Sequence, residues 1–584
     1  MKKITYYICF CTIFVFQWNY AQNTNDSFKP RRKELELYQY RGDSITILKA
    51  PLATTAITSF DSKLPYPIIF IHGLDSNSET WTTTTNYLDN QFQFTYGGRF
   101  DFCLNDDGNN TTANKNFYPT AGADIAAFET SIQNGDYYTI NFDVGTDGSY
   151  SPSSSSSVFA LSNQAAIAKQ AMAVRKTIER VMQITGRDKV VLVTHSMGGL
   201  AAREYIQNSS DWQTDGNHHV AKLAMAGTPH GGSNTSGFGL GFLIGMDESS
   251  EAIRDLRTSY YYSGEPGRYL FGGVEIENNT NMNDNSYTPD FYNVDMNCNG
   301  IINENIIGLN QRPIDNLIDY SSVIGEKNGG TTDGVVDATS SNLNLFYPTL
   351  TYPNKLFYYS AIAVTEVHTD LPSQYYQLIQ AMDEPNFKEL GYKIITNKPY
   401  IGFTTIQENP SVADDDFYKF DITNNVIATV AVSSIVTNQM IASLVDSNGN
   451  LIGTTHNNTA ATLNFTQNLT PGSYYLKLSS MNPTSNNYKT PYQFIINTTL
   501  SNADYALSSM SFYPNPTTDK IYFENQNFNN ATVYSFVGQK LEEIALNSTD
   551  SLQNISIVNY AKGIYFISLE KENQLPIQIK VIKE

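Results

Sequence analysis

The run Val190-Val191-Leu192-Val193-Thr194-His195-Ser196-Met197-Gly198-Gly199-Leu200 carries a serine out of an apolar stretch and into small residues. A hydroxyl on such a sharp strand-to-helix turn is pushed outward, and the small residues let helix and strand pack closely, as in a nucleophile elbow. The usual pattern for this turn is G-x-S-x-G, and Thr194 replaces its first glycine, so a side chain must fit against the neighbouring backbone. A serine hydroxyl is a weak nucleophile until an imidazole takes its proton, and a carboxylate must orient that imidazole. The chain order for such a site is Ser, then Asp or Glu, then His.

Elimination narrows the partners. Of His72, His195, His218, His219, His230, His368 and His456, only the last two follow Ser196 with room for an acid between and lie beyond the last strands expected of the sheet. His456 falls in a later stretch of different character, which leaves His368, just after the apolar run 355–364. The best placed acid is Asp333, in Thr331-Thr332-Asp333-Gly334-Val335-Val336-Asp337, with Asp337 as the runner-up. An exposed turn is the commoner fate of an Asp-Gly pair. His72-Gly73-Leu74 follows another apolar run, 67–71, and the loop there supplies backbone N–H groups to a developing oxyanion. Leu74 and Met197 are the two donors expected. His72 itself, and His230 in Gly227-Thr228-Pro229-His230-Gly231-Gly232, read as structural loop residues.

These residues need a frame. From about residue 61 to 382, β-branched runs alternate with helical patterns, which implies strands and crossover helices of a mostly parallel sheet. Ile167, Ala171, Val174, Ile178 and Val181 have helical spacing, and Gly186 is placed to end that helix. The apolar run 190–193 shows no alternation, as expected of a central strand covered on both faces. Beyond Gly232 the alternation breaks down until about residue 319, where a lid or cap would be inserted. Within it, Gly237-Phe238-Gly239-Leu240-Gly241-Phe242-Leu243-Ile244-Gly245 could form a mobile apolar lid that meets a lipid surface, or could line an open acyl pocket.

Taken together, the His-Gly-Leu, Thr-His-Ser-Met-Gly-Gly, Gly-Thr-Pro-His-Gly-Gly, Asp-Gly-Val-Val and Val367-His368 motifs resemble the bacterial lipase and esterase branch of the α/β-hydrolases. The resemblance covers roughly residues 65–382. It implies an α/β-hydrolase domain (22–398, lid insertion about 233–319) that hydrolyses an acyl ester of a lipid or small molecule through an acyl-serine. A thioesterase, amidase or phospholipase would share the triad, and a surface-binding protein on the same scaffold would not need it. No cofactor is expected for catalysis.

Two all-β units are expected after it. Residues 399–502, with Phe417-Tyr418-Lys419-Phe420 and Gly472-Ser473-Tyr474-Tyr475-Leu476, are similar to the pre-peptidase C-terminal family of β-sandwich accessory modules. Residues 510–584, with Phe512-Tyr513-Pro514-Asn515-Pro516 and the closing Ile579-Lys580-Val581-Ile582-Lys583-Glu584, look like the C-terminal sorting domain of type IX secretion. That resemblance implies export through the periplasm and outer membrane by that machinery, to the medium or the cell surface.

The remaining features bear on environment. Residues 1–21 have the basic, apolar and small-residue order of a secretory signal, which would remove Cys9 and Cys11 and leave Cys103 and Cys298 to pair or stand alone. A formal charge of −20 argues against nucleic acid, which rewards clustered Lys and Arg. The loop from Asp295 has oxygen ligands at Asp295, Asn297 and Asn299 and Gly300 at position six, like half of a calcium loop. Ile306 stands where the bidentate carboxylate belongs, which favours an Asx-rich turn without metal.

Overall fold

The computed structural model describes residues 36–41, 44–47, 62–104, 125–145, 148, 162–232, 251–256, 258–262, 265–270, 308–405, 413–480, 491–500, 512–524, 527–547, 549–571 and 576–584. The signal segment, Phe238 to Leu243 of the expected lid, Cys298, and the candidate metal ligands Asp295, Asn297 and Asn299 lie outside the described residues. The chain divides into two compact units. One comprises 1–421, 430–465 and 473–497, the other 422–429, 466–472 and 498–584.

The strands of the first part are β1 (Glu36–Arg41), β2 (Ser44–Ile47), β3 (Ile68–Ile71), β4 (Tyr96–Cys103), β5 (Ile125–Thr130), β6 (Tyr137–Asn141), β7 (Val190–His195) and β8 (Val220–Ala226). After a hairpin, β9 (Thr258–Tyr262) and β10 (Glu265–Leu270), come β11 (Asp319–Lys327) and β12 (Lys355–Ala361). A ten-stranded sheet has the order β12-β11-β8-β7-β3-β6-β4-β5-β1-β2. From β12 across to β4 every pairing is parallel, and β5, β1 and β2 close the far edge antiparallel. All six residues of β7 are buried, as a strand with helices on both faces must be.

Helix α1 (Thr82–Phe92), α2 (Ile167–Thr185) and α3 (Met197–Gln207) pack on this sheet. In α2, Ile167, Ala171, Val174, Ile178 and Val181 are all buried in the core shared with β3 and β7. A large apolar side chain so buried contributes roughly 1.5–3 kcal/mol, so this face rather than intrinsic propensity holds the helix. Gly186 ends it in the left-handed region (φ 66°), donating its N–H to the Met182 carbonyl. Cys103 is buried in a small apolar cluster with Phe128 and Val144.

Beyond the sheet, a short helix α4 (Glu251–Leu256) precedes the hairpin, α5 (Ala338–Ser341) follows β11, and α6 (Tyr375–Ala381) follows β12. Then come β13 (Tyr392–Lys393), β14 (Pro399–Gly402), β15 (Asp414–Ile422), β16 (Val426–Ser433), β17 (Met440–Asp446), β18 (Leu451–Asn457), β19 (Thr462–Leu469), β20 (Gly472–Ser480) and β21 (Tyr492–Leu500). A five-stranded sheet has the order β13-β15-β20-β17-β18, and β14 pairs antiparallel with β21 in another. The C-terminal residues are all-β: β22 (Phe512–Tyr513), β23 (Lys520–Glu524), β24 (Asn530–Ser535), β25 (Lys540–Ala545), β26 (Leu552–Ser556), β27 (Gly563–Glu570) and β28 (Ile577–Lys583). They form sheets β22-β23-β26 and β25-β24-β27-β28 around Ile521, Phe523, Val533, Ile567 and Val581.

Candidate active site

Four segments converge at the carboxyl ends of the parallel strands, the edge at which α/β sheets bind ligands. Ser196 sits between β7 and α3 at φ 51°, ψ −128°, a conformation disfavoured for any residue with a Cβ. Its N–H donates to the Ala226 carbonyl at the end of β8 (2.8 Å), which fixes the turn. The Thr194 side chain fits without disturbing that turn: it is fully buried and its hydroxyl donates to the Ala224 carbonyl (3.3 Å).

Two glycines around the turn are steric necessities. A Cβ on Gly73 would lie 2.7 Å from Ser196 Cβ, and one on Gly198 would lie 2.5 Å from the His72 carbonyl oxygen. Gly73 thus lets the loop after β3 pass directly over the serine. Met197 directly follows the serine and Leu74 directly follows Gly73, and among the described residues neither backbone N–H meets an acceptor. A buried backbone donor such as that of Met197 is normally paired, and one left open next to a hydroxyl is suited to an incoming oxyanion.

His368 and Asp333 complete the cluster. His368 Nε2 lies 2.8 Å from Ser196 Oγ, and Nδ1 lies 2.6 Å from Asp333 Oδ2. The carboxylate can only accept, so Nδ1 carries the proton and Nε2 presents its lone pair to the serine hydroxyl. Asp333 Oδ1 accepts the N–H groups of Val335 (2.8 Å) and Val336 (2.6 Å), which aims Oδ2 at the imidazole. All three side chains are buried, Ser196 remaining 8% exposed. Asp337 lies away from them: it is exposed, and its carbonyl oxygen accepts the N–H groups of Ser340 and Ser341 at the start of α5.

The other histidines have structural contacts. His72 donates from Nδ1 to the Gly73 carbonyl (2.8 Å) and accepts the Phe142 N–H at Nε2 (2.9 Å), and burial lowers its pKa to about 4. His230 accepts from Arg203 Nη1 at Nδ1 (2.9 Å) and is held neutral by burial and by that guanidinium. His456 stacks on Phe465 in the later β region, centroids 4.0 Å apart.

One site contact was not read from sequence. His195 Nε2 donates to the backbone carbonyl of His368 (2.9 Å), with the rings 4.8 Å apart, and Trp81 packs edge-on against His195. Burial first, then the adjacent His368, push the pKa of His195 well below its usual value. A neutral ring there pins the loop of His368 without adding a charge against it. Elsewhere in this unit Asp383, Glu384 and Asp416 form an all-carboxylate cluster that could hold a cation.

Residues 66–243 match the alpha/beta hydrolase fold family, and residues 511–584 match the secretion system C-terminal sorting domain. No curated protein matches. Among solved structures, a gene product of Listeria innocua is 16% identical, covering 56% of this chain and 96% of that one with a TM-score of 0.31. A lipase-esterase related protein from Clostridium acetobutylicum is 12% identical, covering 54% and 91%, TM-score 0.25. The pre-peptidase C-terminal domain of a Bacillus anthracis collagenase is 16% identical, covering 18% and 92%, TM-score 0.15. The chain therefore carries an α/β-hydrolase-fold domain and a type IX secretion sorting domain, and it is a secreted or cell-surface protein.

Proposed function

We propose that this protein is a secreted serine ester hydrolase, a carboxylesterase or lipase, working through an acyl-serine intermediate. The observation that carries this reading is the continuous relay from Asp333 through His368 to the strained Ser196. In the first step Ser196 Oγ bonds to the acyl carbon while its proton passes to His368 Nε2, and the carbonyl π pair moves onto oxygen. The oxyanion is taken up by the N–H groups of Leu74 and Met197, each such donor being worth about 3 kcal/mol in the transition state. Collapse breaks the bond to the alcohol, which leaves with the proton from Nε2. Water then repeats the sequence and releases the acid.

A fluorophosphonate probe should label the full-length protein at Ser196 and leave a Ser196→Ala variant unlabelled. A panel of p-nitrophenyl esters of increasing chain length then separates an esterase, fastest on short chains, from a lipase. Labelling without turnover on any ester would move the reading to a thioester or amide substrate.

The sorting domain adds an expectation about export. Deleting residues 511–584 should leave the hydrolase chemistry intact and strand active protein in the periplasm, because the address is lost while the catalytic residues all lie between 74 and 368. Ester hydrolysis in periplasmic and culture fractions measures this, and undiminished release of the truncated protein would refute it.

A further inference from the structure

The cluster formed by Asp383, Glu384, Asp414 and Asp416 lies in the first unit, away from the triad. Asp383 and Glu384 follow α6, and Asp414 and Asp416 are alternate residues of β15, both on its buried face. All four are at most 2% exposed. Of the nearby cations, Lys222 is paired with Asp319, and Lys355 is shared between Asp383 (3.5 Å) and Asp319 (3.9 Å). Among the described residues, the four buried carboxyls therefore have only the Lys355 ammonium beside them, and they share it with Asp319. Burial of several anions at this ratio costs several kcal/mol per ion unless a cation or protons compensate.

Hydrogen bonding engages one oxygen of Asp383 and one of Asp416 and leaves the other open, whereas both oxygens of Asp414 accept from Thr405 (N–H 2.7 Å, Oγ1 3.3 Å). Asp383 Oδ2 accepts from Thr405 Oγ1 (2.9 Å), Glu384 Oε2 from the Phe403 N–H (3.0 Å), and Asp416 Oδ2 from Tyr492 OH (2.6 Å). Asp383 Oδ1 and Asp416 Oδ1 are buried with no hydrogen-bond partner among the described residues. One oxygen from each of Asp383, Glu384 and Asp416 lies within 4.8 Å of those from the other two. Two oxygens sharing a calcium ion at 2.3–2.6 Å stand at most about 5 Å apart, so this spacing suits a common ion.

We propose that Asp383, Glu384 and Asp416 form a calcium site that ties the segment leaving the catalytic sheet to β15 of the β-sandwich. The donor set is oxygen only, with no imidazole or thiolate, which selects a hard cation over zinc. Magnesium keeps several waters and strict octahedral geometry, which a closed cluster does not favour. A secreted protein meets calcium at concentrations that extracellular modules, with dissociation constants of about 10⁻⁴–10⁻³ M, are built to use.

The test uses the full-length protein, with thermal unfolding followed in EGTA and then in calcium from 10 µM to 10 mM. A site saturated about 100-fold above its dissociation constant should raise the unfolding midpoint by about 5 °C. Terbium should bind one-to-one and luminesce through Tyr418 and Tyr492, whose hydroxyls are hydrogen-bonded to each other beside Asp416. Asp383→Asn with Asp416→Asn should abolish both responses while remaining folded in EGTA, since it removes two buried charges. A triple replacement of Asp295, Asn297 and Asn299 by Ala should leave both responses intact. Equal midpoints in EGTA and 10 mM calcium with no terbium signal would overturn the proposal. So would a calcium response that survives the first variant and disappears in the triple one.

Discussion

Ser196→Ala should lower kcat/KM for a p-nitrophenyl ester by on the order of 10⁵–10⁶, the scale on which serine hydrolases lose turnover when the nucleophile is removed. Its unfolding midpoint should stay within about 2 °C of the parent, because only one hydroxyl and its hydrogen bond to His368 are lost. The strained backbone at φ 51° is set by surroundings the variant keeps, including the N–H of residue 196 on the Ala226 carbonyl and the close passage of Gly73. Alanine also retains the Cβ against which Gly73 packs. Loss of activity together with cooperative unfolding at the parent temperature separates a chemical role from a structural one. If the variant kept a tenth of parental turnover, Ser196 would not be the nucleophile.

The frame was legible where a single physical signal fixes it. The unalternating run 190–193 reads as a doubly covered strand, and β7 is buried throughout. His368 was reachable because chain order and strand placement eliminate the other histidines. Its loop was less so: the apolar run suggested a strand to 364, but β12 ends at Ala361 and Ala363 turns into the left-handed region. Asn328 holds that turn by accepting the Val364 N–H and donating to its carbonyl, a tertiary contact with no local sequence sign. The grip of His195 on the His368 carbonyl spans 173 positions and was equally invisible. The acidic cluster did leave a trace. Asp414 and Asp416 alternate with Asp415 at the head of a strand whose next buried positions are aromatic, so two acids had to face inward. What the sequence could not supply was the arrival of Asp383 and Glu384 beside them, which only folding brings about.

Asp333→Asn should reduce kcat about 10⁴-fold, and Asp337→Asn should change it less than twofold. The loss comes from the imidazole tautomer. Asp333 Oδ1 is held by the N–H groups of Val335 and Val336, so the amide oxygen of asparagine will take that position and its NH₂ will face His368 Nδ1. Nδ1 must then accept, which moves the imidazole proton to Nε2 and points it at Ser196 Oγ. The serine loses its base although every heavy atom can stay in place. Asp337 has no such leverage, since its side chain is exposed and only its backbone carbonyl serves the start of α5. Steady-state rates on one short-chain ester, with fluorophosphonate labelling rates as a second readout, should fall in parallel for Asp333→Asn at an unchanged KM. Were Asp337→Asn the more damaging change, the acid would be misassigned and the carboxylate now seen against His368 Nδ1 would be a bystander.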